Sequence, residues 1–265
     1  MPRAVTVHYS VFPQPLAVAQ AAAQLFTSSA VAAVQARGIA RIAISGGSTP
    51  KVLFNLLADQ SQPFYRQIPW DKLFLYWVDE RCVPPDNSDS NYRMTSEAML
   101  SKVPLPSEHV FRMEGELAPE VAAARYESTL RNSFKLEGAQ TPTFDLILLG
   151  MGDDGHTASL FPHTDGLENI TNLVIANHVP QKDTWRITLT APVINQGREV
   201  AFLIEGAAKT EVLHNVLLGP YNYDLYPSQL IRPASGQLTL LLDSVAAAKL
   251  PPPDETTGAG TLELK

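Results

Sequence analysis

Ile39-Ala40-Arg41-Ile42-Ala43-Ile44-Ser45-Gly46-Gly47-Ser48-Thr49-Pro50 changes character halfway along. Residues 39–44 are a short apolar run with β-branched members and predict a strand, whereas residues 51–59 space their apolar side chains as a helix does. Between them lies a turn at which free backbone N–H groups and the positive end of a helix dipole converge. Gly46 and Gly47 let that backbone approach an anion, Ser48 or Thr49 can cap the helix, and Pro50 suits its first turn. Ser45 through Thr49 therefore form a candidate phosphate cradle, with an ordinary Gly-Ser turn and helix cap as the plain alternative. The turn lacks the Gly-Lys-Ser/Thr ending of a nucleotide loop, so ATP is not implied.

The same alternation extends in both directions. Strands are predicted at 5–9, 73–78, 145–149, 173–176, 186–189 and 200–204, with a late one at 238–242. Helices are predicted at 15–35, 51–59, 91–101, 119–135 and 207–217. Several of the strands are apolar on both faces, and such strands alternating with helices predict a mainly parallel sheet covered on both sides with right-handed crossovers. The fold class is α/β, a Rossmann-like three-layer sandwich. A single domain is expected over residues 1–250. Residues 251–265, rich in Pro, Thr and Gly, show no periodic apolar pattern and are expected to be a flexible tail.

At 265 residues, 45% hydrophobic and 18% charged, the chain has the composition of a protein that folds around its own core. A net charge of -7 would repel a nucleic-acid backbone or an anionic membrane, since both are bound through a basic face. A small anionic ligand remains compatible, because a local cluster of donors outweighs a weak, screened global field. Cys82 is the only cysteine; it can form no intrachain disulfide and is read as a packed residue without chemistry. Residues 1–15 lack the basic start and apolar stretch of a secretion signal, and the alanine-rich helix is interrupted by Gln20, Gln24, Ser28 and Ser29. A cytoplasmic location is expected.

Two further strand ends carry chemistry. Asp79-Glu80-Arg81 follows the strand at 73–78, where ligands bind in open parallel sheets. Arg81 could hold a phosphate or carboxylate in bidentate fashion, and the acids could orient a sugar hydroxyl or the arginine; the plain alternative is a solvated loop. Gly150-Met151-Gly152-Asp153-Asp154-Gly155-His156-Thr157-Ala158-Ser159 follows the strand at 145–149. It contains G-x-G-x-x-G, but Asp153 and Asp154 would face a pyrophosphate, so a dinucleotide fits poorly. Asp154 and His156 instead suit an acid–base pair, in which a carboxylate fixes the imidazole tautomer and supports its protonated form. Asp153, Asp154, His156, His163 and Asp165 lack H-E-x-x-H or C-x-x-C spacing, so no metal is assigned. Lys209, just after the strand at 200–204, could meet a phosphate as a point charge or be a solvated first-turn lysine.

These segments follow one another as they do in the 6-phosphogluconolactonases. The chain resembles that family from Val5 to about Leu250 through I-S-G-G-S-T-P, D-E-R-C-V-P, N-Y-R, L-G-M-G-D-D-G-H-T-A-S-L-F-P and F-L-I-E-G-A-A-K. The resemblance implies hydrolysis of 6-phospho-D-glucono-1,5-lactone to 6-phosphogluconate by a cytosolic enzyme without cofactor. It implies His156 as general base and Asp154 as its orienting partner. It gives Ser45, Gly46, Gly47, Ser48, Thr49, Arg81 and Lys209 to the 6-phosphate, with Arg186 a further anion-binding candidate and Asp79 and Gly155 completing the binding set. The expected partner is a small sugar phosphate lactone, with no nucleic acid and no membrane, and the chain is expected to act as a monomer or weak homo-oligomer. Amino-sugar phosphate isomerases and deaminases share the Ser-Gly-Gly loop and the Asp-Gly-His segment, but carry an acid in an Asn-Glu-Pro run shortly after it. Here the corresponding stretch is Ser159-Leu160-Phe161-Pro162, and Phe161 cannot shuttle a ring-opening proton. A non-catalytic sugar-phosphate sensor would need a DNA-binding extension, and the first strand at Val5 leaves no helix-turn-helix before it.

Overall fold

A computed structural model describes residues 3–234 and 236–264. In chain order the elements are β1 (Val5–Phe12), α1 (Pro15–Arg37), β2 (Ala40–Ile44), α2 (Ser48–Ala58), α3 (Pro63–Gln67), β3 (Leu73–Trp77), β4 (Asp79–Arg81), α4 (Asn91–Ala98), β5 (Val110–Phe111) and α5 (Pro119–Phe134). They continue with β6 (Leu146–Leu149), β7 (Val174–Val179), β8 (Thr184–Leu189), α6 (Ala191–Ile194), β9 (Glu199–Ile204), α7 (Thr210–Leu218), β10 (Gln237–Asp243) and β11 (Ala259–Leu264). Eight strands form one sheet in the order β11-β1-β10-β9-β6-β2-β3-β5. All its pairs are parallel except β1 with β11.

The central strands are buried on both faces because helices cover both. Ile42, Ile44, Leu146, Leu148, Ala201 and Leu203 pack with Phe26 of α1 and Leu53 and Phe54 of α2. Their neighbours Ala43, Ile147, Leu149, Val200, Phe202 and Ile204 pack on the other face with Tyr126 and Leu130 of α5 and Leu213 of α7. Residue-by-residue alternation between two cores is what a two-sided sheet requires, and it explains the uninterrupted apolar runs. Although α1 is long and apolar enough to match a membrane span, Val18, Ala22, Ala23, Phe26, Ala30 and Ala33 are buried in the first of these cores.

Two expectations are corrected. The strands predicted at 173–176 and 186–189 do not join the main sheet; β7 and β8 form a separate antiparallel sheet in the order β4-β8-β7. Only the turn Pro180–Lys182 and Asp183 separate β7 from β8, too short for the crossover a parallel pair needs. The tail is not loose either. Residues 259–264 pair antiparallel with β1, from Val5 opposite Leu264 to Ser10 opposite Ala259. Leu262 and Leu264 reach the core, and Gly260 leaves room for Tyr9, whose ring would lie 2.2 Å from a Cβ there. Two apolar side chains in six residues are too few to read as a period in sequence alone.

The connection order places the site. The chain leaves β2 for β3 on one side and later returns to β6 on the other. The carboxyl ends of β2 and β6 thus flank a topological switch point, where a crevice opens in such sheets.

Candidate active site

A cavity of about 380 Å³ lies in that crevice. The loop after β2 forms its floor. Helix α2 begins at Ser48, earlier than predicted, with Gly47 rather than a serine or threonine as its N-cap at φ 116°. Neither Ser48 nor Thr49, the residues expected to cap it, does so: Thr49 Oγ1 donates to Glu205 Oε2 at 2.8 Å, while Ser45 Oγ, at the strand end, donates to Leu148 O at 2.9 Å. What the loop offers an anion is therefore the backbone at the start of α2. Gly46 is required by a close approach, because a Cβ there would lie 1.7 Å from Asn91 Oδ1. Burial pushes the Glu205 carboxyl up, against the hydrogen bond from Thr49, with the Asp243 charge adding to the rise.

Asp79-Glu80-Arg81 is not a solvated loop but strand β4. Only Val78 separates it from β3, and its three residues pair with β8, setting Arg81 opposite Arg186. Glu80, 2% exposed, faces inward into a cage of donors. Its Oε1 accepts from Arg81 N at 2.8 Å and Asn91 N at 2.7 Å, and its Oε2 from Tyr92 N at 2.8 Å and Ser90 Oγ at 3.1 Å. Burial pushes its carboxyl up while these backbone donors pull it down, and burial prevails. Glu80 thereby fastens the start of α4 to β4, as an acid at a helix N-terminus should. Asp79 accepts from Ser159 Oγ at 2.7 Å, and its carbonyl accepts from Asn91 Nδ2 at 2.9 Å, so the walls from β3, β6 and α4 are joined.

Arg81 and Arg186 both line the cavity, and among the described residues neither has a carboxylate salt-bridge partner. Arg81 Nη1 donates to Asp89 O at 2.5 Å, and Arg186 Nη1 to Thr184 Oγ1 at 2.8 Å. Burial, followed by the charge of Arg81, pulls the Arg186 guanidinium below its ordinary value. Two adjacent guanidinium groups with no carboxylate in salt-bridge contact make a site that an anion would stabilise.

The segment after β6 holds the acid–base pair. Asp154 Oδ1 accepts from the His156 backbone at 3.1 Å and lies 2.5 Å from His156 Nδ1. Burial pulls the Asp154 carboxyl upward, but the hydrogen bond and charge of His156 outweigh it and hold it below the usual value. An ionised carboxylate can only accept, so the contact fits the tautomer that donates from Nδ1 and carries its lone pair on Nε2. Gly152 makes room for the pair: a Cβ there would lie 2.0 Å from His156 Nδ1 and 2.5 Å from Asp154 Oδ1. Phe161 stacks on the imidazole with ring centroids 4.0 Å apart.

Of the predicted site residues, Ser45, Gly46, Gly47, Ser48, Thr49, Asp79, Arg81, His156, Arg186 and Lys209 all line the cavity. Asp154 sits behind His156 instead of on the wall. Gly155 turns away, at φ 81° with Tyr226 and Val212 as its neighbours, and its carbonyl accepts from Ser228 Oγ at 2.8 Å. Asp153, Asp154, His156, His163 and Asp165 do not gather into a group able to hold an ion among the described residues; His163 Nδ1 pairs with Asp224 Oδ2 at 2.6 Å. Asn91, Lys182 and Glu205 line the cavity unassigned by the sequence. Asn91 had a signal in the N-Y-R run; Lys182 had none, lying between two predicted strands.

The profile of the glucosamine-6-phosphate isomerases/6-phosphogluconolactonase family matches residues 13–240. A 6-phosphogluconolactonase of Synechocystis sp. is 42% identical over 228 residues, 85% of this chain and 91% of that protein. One of Nostoc sp. is 40% identical over 242 residues, 91% of this chain and 97% of that protein. The crystal structure of a devB protein superposes with a TM-score of 0.83 at 37% identity, covering 92% of this chain and all of that one. With the Ser-Gly-Gly loop, the paired arginines and the Asp154–His156 pair set around one crevice, the chain belongs to the glucosamine-6-phosphate isomerase/6-phosphogluconolactonase family.

Proposed function

We propose that the crevice binds 6-phospho-D-glucono-1,5-lactone between the arginine pair and His156, and that His156 is the general base for its hydrolysis. The enzyme is a 6-phosphogluconolactonase, opening the lactone to 6-phosphogluconate in the pentose phosphate pathway. The Asp154–His156 pair facing a cavity with unpaired cations is the observation that carries the mechanistic reading. The α2 N-terminus, Arg81 and Lys209 hold the 6-phosphate, with Arg186 beside Arg81. This leaves the lactone ring toward His156. Nε2 takes a proton from water as its oxygen bonds to C1, giving a tetrahedral oxyanion. When the bond from C1 to the ring oxygen breaks, protonated His156 returns the proton to that oxygen; Asp154 stabilises the imidazolium between the two steps. The product acid then ionises. Phe161 puts an apolar ring against the imidazole at the position where deaminases of the same fold carry an acid, which favours the lactonase chemistry. The burial of α1 in the core and the lone Cys82 support a cytoplasmic enzyme.

Acid release from freshly generated lactone in weak buffer tests the reaction. Release well above the spontaneous rate, absent with unphosphorylated gluconolactone and unchanged by EDTA, is expected. A rate equal to the no-enzyme control would reject the lactonase reading.

A further inference from the structure

The proposed mechanism assigns permanent cations to the phosphate, and only the transient imidazolium of His156 to the end of the substrate where charge develops. That end is acidic: Asp153 lines the cavity and Asp154 lies 2.5 Å behind His156. An oxyanion at C1, and then a product carboxylate, would form there against two carboxylates. The imidazolium is already paired with Asp154, so a further positive group would stabilise both charges, and one residue on the cavity wall has the position to supply it.

Lys182 lies in the turn Pro180–Lys182 joining β7 to β8, and it lines the cavity. Its Nζ is 5.7 Å from the centroid of the Phe161 ring, and that same ring stacks on His156 at 4.0 Å. Phe161 therefore ties the ammonium to the His156 end of the crevice. The turn is anchored there. Gln181 Nε2 donates to Pro162 O at 2.6 Å, Asp183 N donates to Pro180 O at 3.1 Å, and Asp183 takes the left-handed conformation at φ 46° that reverses the chain into β8. No carboxylate pairs with Lys182 among the described residues, so its charge is not spent within the protein. On an exposed turn it is hydrated until a ligand covers it; a bound sugar would displace that water and strengthen its attraction for an anion.

We infer that Lys182 contacts the C1 end of the ligand, meeting the oxyanion during hydrolysis and the carboxylate of the product. The inference rests on the lactonase reading for the identity of the ligand, but its test can be read without turnover. No bond is made to Lys182 and no proton leaves it; its contribution is electrostatic.

Calorimetry with wild type, Lys182→Gln and Lys182→Arg should compare two probes, 6-phosphogluconate and glucitol 6-phosphate, which shares the phosphate but has no carboxylate. Lys182→Gln is expected to weaken 6-phosphogluconate roughly tenfold, as the loss of one charged partner at a partly hydrated site, and to leave glucitol 6-phosphate unchanged. Lys182→Arg should restore most of the difference. With the lactone, kcat should fall by a similar factor and KM move less. Equal weakening of both probes would place Lys182 on the phosphate, and no weakening of either would make it a solvated rim charge; each result overturns the inference. A wild-type enzyme that does not open the lactone, yet shows the carboxylate-selective loss in Lys182→Gln, would sink the reaction and leave the contact standing.

Discussion

At the scale of single residues, the site depends on groups that are close because something small lies between them. His156 and Asp154 meet over Gly152, and the space they occupy is the space a side chain at 152 would need. Gly152→Ala should therefore leave the fold intact and misplace the imidazole, lowering kcat at least tenfold with little change in KM, since a small displacement of a general base is costly. His156→Ala should lower kcat by about 10² to 10⁴, the usual range for losing general acid–base catalysis. Steady-state kinetics corrected for spontaneous opening, alongside circular dichroism, would check both. If Gly152→Ala turned over like wild type, the tight packing of the pair would not matter to catalysis. The identity of this pair was legible because Asp-Gly-His is contiguous. Lys182 was not, because its nearness to His156 comes through Phe161, a residue 21 positions earlier in the chain, and no local pattern encodes it.

At the scale of elements, β4 decides how much of the site could be read. Asp79-Glu80-Arg81 has the composition of a loop, and strands are depleted in such residues. It is a strand because β8 lies alongside it and because Glu80 is enclosed by donors from β4 and from the start of α4. Both conditions are tertiary, whereas β2, β3, β6 and β9 carry their burial in their own sequence. The parallel sheet was legible for that reason and the small antiparallel sheet was not. Glu80→Gln tests the cage. Although burial raises the carboxyl's pKa, every contact it makes is from a donor, so the ionised form is the one that fits. An amide NH₂ would face an N–H or O–H that needs an acceptor. The expected cost is roughly 1–3 kcal/mol, as for an unsatisfied buried donor, measured by urea unfolding. KM for the phosphorylated lactone should rise as Arg81 and Asn91 lose their anchor. Unchanged stability and KM would show the cage to be dispensable.

At the scale of the molecule, stability and catalysis are spatially separated. The crevice opens between β2 and β6, while β11 closes the far edge of the sheet, with β1, β10 and β9 between it and β6. Its pairing covers the β1 backbone and buries Leu264, which is 5% exposed. Deleting residues 259–265 should remove about 2–3 kcal/mol, the scale of one buried leucine with a partly buried companion in Leu262. It should also leave β1 as an unpaired edge that invites association between chains. The kcat of the folded fraction should stay at the wild-type level, because no β11 residue lines the cavity. Urea unfolding, size-exclusion chromatography and active-site-normalised kinetics separate these effects. A truncated chain with wild-type stability would mean that the C-terminal strand contributes nothing to the sheet it completes. A fall in kcat without a loss of folded protein would mean that the two ends of the sheet are coupled, and that the edge strand helps hold the geometry of the crevice four strands away.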